Sequence, residues 1–241
     1  MLIEICLPAY NEETILKKNI TILLNFLKNK TWSFNWQITV AINNSSDNSL
    51  EIIKKLVQNN KEISYYNLEK GGKGHAIKYA WHKSKADIFV YMDVDLAVSL
   101  ENLPSLLEAI YKEKNHLAWG SRLLAKSQTE RGWLRTISSK IYNLFSQLAL
   151  KHKFSDLQCG FKAIDNKIRE KILPLVKDDA WFFDTELIIF SKDNGYRLKE
   201  IPVNWKESRY QERKSKIKPF KDACLFVEKT LKLRKRIKTL H

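Results

Sequence analysis

The sequence predicts an α/β fold built on a mainly parallel sheet. Three observations carry this. From residue 2 to residue 121, short apolar and β-branched runs alternate with longer amphipathic ones. The first three of these runs each lead into a polar loop. The fourth, within IFVYMDVDLA at residues 88–97, ends abruptly in two carboxylates, Asp93 and Asp95. Like charges one residue apart repel, and each costs free energy to desolvate. Either that strand simply reaches solvent at the acids, or a cation sits between them.

In order, LIEICLP is the first strand, and Glu12 to Leu27 reads as an amphipathic helix with Ile15, Ile20, Leu23 and Leu27 inward. Trp36 to Ile42 is the second strand, followed by a helix from Asp47 to Val57 that Ser46 or Asp47 caps. Ile63 to Leu68, a helix from Gly74 to Lys83, and the strand Ile88 to Met92 come next. A helix around Leu100 to Glu113 leads to the strand LAWGS. Beyond Arg122 the pattern changes. Trp133 to Leu150 is helical, with Leu134, Ile137, Ile141, Leu144, Phe145 and Leu148 on one face, suited to core or to a surface contact. A shorter α+β section follows, with EIPVNW as its last clear strand, and a basic amphipathic helix begins at about Phe220. With no repeat or linker, residues 1–217 read as one catalytic domain and 218–241 as a helical appendage.

The chain has 241 residues and is 44% hydrophobic, enough for one sizeable core or at most two small ones. Cys6, Cys159 and Cys224 are far apart and odd in number, which fits neither a disulfide framework nor a metal spacing and suits a reducing compartment. The N-terminus lacks a basic leader, and no apolar run approaches the roughly 18 residues that span a bilayer. The net charge of +15 is concentrated: from Lys206 to His241 there are thirteen Lys and Arg against four acids, a local +9. Such a tail suits an anionic membrane, nucleic acid or plain solvation. Its lysines interleave with aliphatic rather than aromatic residues, which disfavours nucleic acid.

In an open α/β sheet, ligands bind beyond the carboxyl ends of the strands. The loops PAYNEE (8–13), NNSSDNS (43–49) and KGGKGHA (70–76) all fall there and outline a nucleotide-sized crevice. Pro8, Ala9, Tyr10, Asn11, Glu12, Asn43, Asp47, Lys73 and Gly74 are its candidate nucleotide contacts. The glycine loop fits neither the P-loop nor GxGxxG, so triphosphatase and dinucleotide readings have no support. Mg²⁺ or Mn²⁺ bridging nucleotide phosphates is what Asp93 and Asp95 would serve, since these ions favour oxygen ligands and are commonly held by one or two carboxylates plus phosphate.

Taken in series, PAYNE, the SSD loop, GGKGHA, DVDLA and GSR resemble the motifs of family 2 glycosyltransferases of the GT-A fold. SDLQCGFKAI at 155–164 and WFFDTELI at 181–188 resemble the polyprenyl-phosphate sugar synthases within that family, which include dolichyl-phosphate glucose and mannose synthases and bacterial undecaprenyl-phosphate sugar transferases. The resemblance runs from Leu2 to about Trp205. It implies that Pro8, Tyr10, Asn11 and Glu12 contact the nucleoside, Asp93 the nucleotide and metal, and Asp95 the metal. It also implies Asp156 as a catalytic base, where the bland alternatives are capping a turn or orienting an arginine. Two positions depart from the family pattern: Ile42 and Asn43 stand where a pair of acids is usual, and Ala97 where some relatives carry a metal-contacting Gln.

A lipid monophosphate acceptor needs no strong base, because its second pKa lies near about 6 and it is already anionic at neutral pH. It needs cations, and Arg122, Arg131 and Arg135 are the candidates, arginine matching phosphate through its planar fork. Asp184 and Glu186 read as helix-start acids, and His75 and His152 as polar surface. In the tail, Phe220, Cys224, Val227, Leu231 and Ile237 form an apolar arc, with Lys221, Lys229, Lys232 and Lys235 largely opposite. That is the composition of an in-plane interfacial helix. The expectation is an inverting hexosyltransferase, peripheral on the cytoplasmic membrane face, using a UDP- or GDP-hexose with glucose favoured by the resemblance. Transfer to a polysaccharide or other hydroxyl is the alternative enzyme, and a non-catalytic membrane or nucleic-acid binding module the alternative class. No residue pattern sets the oligomeric state.

Overall fold

The computed structural model describes residues 1–130, 133–206 and 219–240, and side chains for 1–130, 139–206 and 225–239. In chain order the elements are β1 (Leu2–Ala9), α1 (Leu16–Lys28), β2 (Asn35–Asn43), α2 (Ser49–Asn59), β3 (Ile63–Leu68), α3 (Lys73–Lys83), β4 (Ile88–Met92), α4 (Leu103–Tyr111), β5 (Leu117–Ser121) and β6 (Gln128–Glu130). They continue with α5 (Trp133–Leu150), β7 (Phe161–Asp165), α6 (Asn166–Lys171), α7 (Phe183–Asp193), β8 (Leu198–Pro202), β9 (Asn204–Lys206) and α8 (Pro219–Leu240).

Among the described residues the main sheet runs β3-β2-β1-β4-β7-β5-β8. β1 to β4 pair in parallel, β7 lies antiparallel between β4 and β5, and β8 returns parallel to β5. Because strand side chains alternate between faces, each central strand feeds two cores. Ile3, Ile5, Leu7, Val40 and Val90 face the layer of α1, α2 and α4. Cys6, Ala41, Phe89 and Tyr91 face α3, α6 and α7, with parts of α5 and α8. The chain order reverses between β1 and β4, so the loops after β1, β2 and β4 meet at one edge, where such sheets bind ligands.

Several boundaries differ from the sequence reading. α1 starts at Leu16, not Glu12: residues 11–15 form a turn in which Glu12 O accepts the N–H groups of Ile15 and Leu16, at 3.0 and 2.8 Å. α2 starts at Ser49 after Asn48, and Asp47 contributes by accepting the Ser49 N–H at 3.0 Å. EIPVNW divides into β8 and β9, because β9 leaves the main sheet to pair with β6. α8 packs against α5 and the segment before α7. Thr230 and Leu233 are buried, and Phe226 packs its ring against Tyr142 of α5 and Phe182 beside α7.

Candidate active site

The loops after β1 and β2 are stitched together before any ligand is considered. Asn11, in the left-handed region at φ 50°, donates its N–H to Ser45 Oγ (3.0 Å) and accepts the Ser46 N–H (2.8 Å). Glu12 N–H donates to Ser49 Oγ (2.9 Å), and Glu13 N–H to the Asp47 carboxylate (2.9 Å); burial acts to raise the pKa of Asp47, but its hydrogen bonds from Ser49 and Glu13 prevail and lower it. Asn11 and Asp47 therefore shape the rim, and with Ala9 and Gly74 they lie outside the lining of the cleft.

The cleft has a volume of about 290 Å³. Pro8, Tyr10 and Glu12 form one side, Asn43 and Asn44 the end of β2, Gly71 to Lys73 the glycine loop, and Asp93 to Asp95 the floor. Ala180 and Trp181, which no motif announced as donor contacts, close the far wall. Asn43 Oδ1 is buried without a hydrogen-bond partner at the protein side, an acceptor left for a ligand. The glycine loop owes its shape to Gly72, at φ +134°, where a Cβ would lie 2.2 Å from Asp179 O.

Both acids reach the floor. After β4 a tight turn brings the Leu96 N–H to Asp93 O at 3.1 Å with Leu96 at φ 50°, which folds Asp95 back toward the cleft, where it is buried and accepts the Ala97 N–H at 3.2 Å. Lys73 Nζ sits 2.8 Å from Asp93 Oδ1 and 4.0 Å from Asp184 Oδ2, and within cation–π range of Tyr91 and Trp181 (5.0 and 5.1 Å). Beneath it the fully buried Lys162 pairs with Asp184 Oδ1 at 2.8 Å and donates to Cys159 O at 2.6 Å. Tyr91 donates to the same carboxylate, and burial, with the charges of Asp184 and Asp93, pushes its phenol well above the ordinary range. Alternating charges, Lys162–Asp184–Lys73–Asp93, thus run from the core to the floor.

Asp184 and Glu186 do lie in the first turn of α7, as expected, but neither caps it. Asp184 is an ion-pair partner, and Glu186 accepts the N–H groups of Lys177 and Asp178 (2.6 and 2.9 Å) and pairs with Arg236. His152 is likewise buried rather than surface, stacked on Phe154, with burial and then the Lys192 charge lowering its pKa to about 4.

Of the three candidate phosphate cations, Arg131 lies outside the described residues and so does the side chain of Arg135. Arg122 is held in a fork by Asp156, Nε to Oδ2 at 2.7 Å and an Nη to Oδ1 at 3.0 Å. Asp156 also accepts the N–H groups of Arg122 (3.1 Å) and Gln158 (3.0 Å). Burial acts to raise its pKa, but Arg122 and these hydrogen bonds prevail and hold it at about 2. A carboxylate so held is a weak base at neutral pH, and the geometry is that of an arginine orienter.

A mainly parallel sheet covered by helices on both faces, with paired acids on the floor of a cleft at its carboxyl edge, defines an α/β protein with a ligand-sized cleft at the switch point of its sheet. The glycosyl transferase family 2 profile matches residues 4–173, and the chain belongs to that family. It is 30% identical over 204 residues to the glycosyltransferase AglD of Haloferax volcanii, covering 84% of this chain and 33% of that protein. It is 24% identical over 224 residues to the dolichyl-phosphate beta-glucosyltransferase of Saccharomyces cerevisiae, covering 85% of this chain and 67% of that one. The chain thus spans from a third to about two thirds of these relatives' length. In structure it resembles mannosyl-3-phosphoglycerate synthase from Rubrobacter xylanophilus (TM-score 0.71, 15% identity, 100% of this chain and 76% of that one). It also resembles glucosyl-3-phosphoglycerate synthase from Mycobacterium tuberculosis with UDP (TM-score 0.63, 15% identity, 98% and 79%). The fold is GT-A.

Proposed function

We propose that the chain is an inverting hexosyltransferase that moves a sugar, glucose by preference, from a nucleotide diphosphate to a polyprenyl phosphate. The acid floor at the switch point of the sheet carries this reading. The dolichyl-phosphate beta-glucosyltransferases among its relatives support the acceptor. UDP in the structural neighbours favours uridine over guanosine. Asn43 Oδ1 offers a base edge the acceptor it needs to bind an N–H.

The donor set fits a divalent metal. Asp93 and Asp95 supply oxygen ligands, and among the described residues no group of three or more His, Cys, Asp or Glu stands ready to hold an ion. The remaining ligands must come from phosphate and water, as is usual for Mg²⁺ or Mn²⁺ that arrives with a nucleotide. Bound there, the metal would neutralise the departing diphosphate. Lys73 stands beside the same acid and supplies a second positive charge for that leaving group. An acceptor phosphate oxygen attacks the anomeric carbon, the bond from that carbon to the diphosphate oxygen breaks, and its electron pair leaves with the nucleotide. No proton need be removed from the acceptor, so Asp156 serves by holding Arg122 toward the phosphate.

The membrane face is carried by α5 and α8. Ile141, Leu144 and Leu148 stand exposed along α5, up to 73% at Leu148, and Leu225, Val227 and Leu231 along α8. Lys140, Lys151 and Lys153 on one helix and its exit, and Arg234 and Lys235 on the other, are exposed beside them. The apolar arc expected on α8 is divided: Ile237 packs on the core, Val227 and Leu231 face out, and the side chains of Phe220, Lys221 and Cys224 lie outside the described residues. No helix among the described residues is long and apolar enough to cross a membrane.

Transfer assays with UDP-glucose and GDP-mannose test the reading, against a short polyprenyl phosphate and against 3-phosphoglycerate. Product is expected only with the lipid phosphate, only with Mg²⁺ or Mn²⁺, and to vanish in EDTA. Asp95→Asn is expected to lower turnover on the order of 100-fold or more. Transfer to phosphoglycerate alone would move the chain to the hydroxyl-acceptor reading that its structural neighbours favour.

A further inference from the structure

Residues 176–182, ahead of α7, are gripped from two sides. On the inner side Ala180 O accepts the Gly74 N–H (3.2 Å), Asp179 O accepts the His75 N–H (3.0 Å), and the Asp179 carboxylate pairs with Lys70 (2.6 Å) and Lys78 (2.7 Å). These bonds set Trp181 against Lys73 at the cleft wall. On the outer side the grip comes from α8. Lys229 pairs with Asp178, whose other oxygen accepts the N–H groups of Ala180 (2.8 Å) and Phe182 (3.1 Å). Arg236 donates to Leu175 O at 2.8 Å and pairs with Glu186, the carboxylate that fastens the N–H groups of Lys177 and Asp178.

Asp178 and Glu186 are nearly buried, with side chains 9% and 5% exposed. A buried carboxylate stripped of its cation must recruit water or move, so each pair is a constraint on the backbone it fastens. We propose that Lys229 and Arg236 are positioning residues for the nucleotide: through residues 176–182 they hold the Trp181 wall and the glycine loop in the form that binds the donor. The C-terminal helix is then part of the donor site's scaffold as well as a membrane face, and displacement of α8 loosens the cleft. This rests on the cleft being the donor site, as proposed above.

The test is calorimetric binding of UDP, and of GDP in parallel, with Mn²⁺ to the full chain and to Lys229→Ala, Arg236→Ala and Arg236→Lys. Lys238→Ala, exposed on the same helix, is the control. Both alanine variants are expected to raise the nucleotide Kd on the order of tenfold, about 1.4 kcal/mol. Arg236→Lys should recover part of the loss, and the control should match wild type. In transfer assays KM for the donor should rise while KM for the acceptor stays put, a split that general loosening of the fold would not produce. Should Arg236→Ala fail to fold, Lys229→Ala carries the test, because it strips a contact at the surface of the helix. Wild-type binding with both alanine variants within twofold of it overturns the inference alone. Failure of the wild type to bind either nucleotide overturns the donor-site reading and this inference with it.

Discussion

A Cβ at Gly160 would lie 2.0 Å from Asp93 Oδ2, and the Asp93 N–H donates to Gly160 O at 3.0 Å, so the acid occupies the space a side chain would take. Gly160→Ala is expected to push Asp93 off the floor. Metal-dependent turnover should fall at least about tenfold while far-UV circular dichroism stays native, the backbone there needing no left-handed conformation. Asp156 is a second residue whose role the chain order hides. Its pKa is depressed from 3.8 to about 2, so its stabilising contribution is complete above about pH 4 and is lost as the pH falls through about 2. Asp156→Asn leaves Arg122 buried without its counter-charge. Urea unfolding should show about 3 kcal/mol lost at neutral pH and a flatter acid limb than wild type. DVD was legible in the sequence because an acid pair breaking an apolar run is conspicuous. Gly160 was visible only as part of a resemblance, since nothing local says which atom will fill the place of its missing side chain.

At the scale of elements, α5 shows how a correct helix leaves its orientation open. Its apolar face was evident, but Ser146, Ala149 and Leu150 turn inward while Ile141, Leu144 and Leu148 turn out. At its exit, His152 Nδ1 accepts the Phe154 N–H (3.2 Å), which places the ring proton on Nε2, facing Ser146 Oγ at 3.1 Å. Protonation would set a second N–H against that of Phe154. With the folded pKa near 4 against 6.5, the unfolded chain takes up a proton in this window and the folded one does not, so stability should decline as the pH drops from about 6.5 to 4. His152→Asn retains an acceptor but cannot gain a proton. It is expected to cost about 1 kcal/mol at pH 7 and to flatten that decline, measured by denaturant titration across the range. α7 carries the same lesson. Acids at a helix start normally answer free backbone N–H groups, but here Lys162 and Arg236, both distant in sequence, claim them.

For the whole molecule, the cleft and the exposed strips of α5 and α8 belong to one body, joined through α7 and the segment before it. On the proposed membrane orientation, apolar and charged contributions separate by salt. Leu144→Asp with Leu148→Asp should reduce sedimentation with phosphatidylglycerol vesicles at low and high salt alike. Arg234→Ala with Lys235→Ala should weaken it only at low salt, by about 1 kcal/mol per charge, because that attraction is screened within a Debye length. Unchanged sedimentation in both double variants would remove α5 and α8 as the lipid-facing surface.

By itself the sequence determined the strand–helix alternation, the mainly parallel sheet, the three polar loops and the acid pair, because each is a local pattern of hydrophobic period interrupted by polar residues. It did not determine that β7 runs antiparallel between β4 and β5, that β9 leaves the sheet, or that α8 packs home. Nor did it show that Asp156 grips Arg122 in a fork, or that Trp181 closes the cleft. Those depend on which distant residues meet. A buried carboxylate becomes a cap, a base or an ion-pair partner according to the cation beside it, and only the tertiary fold brings Arg122 to Asp156, Lys162 to Asp184 and Arg236 to Glu186.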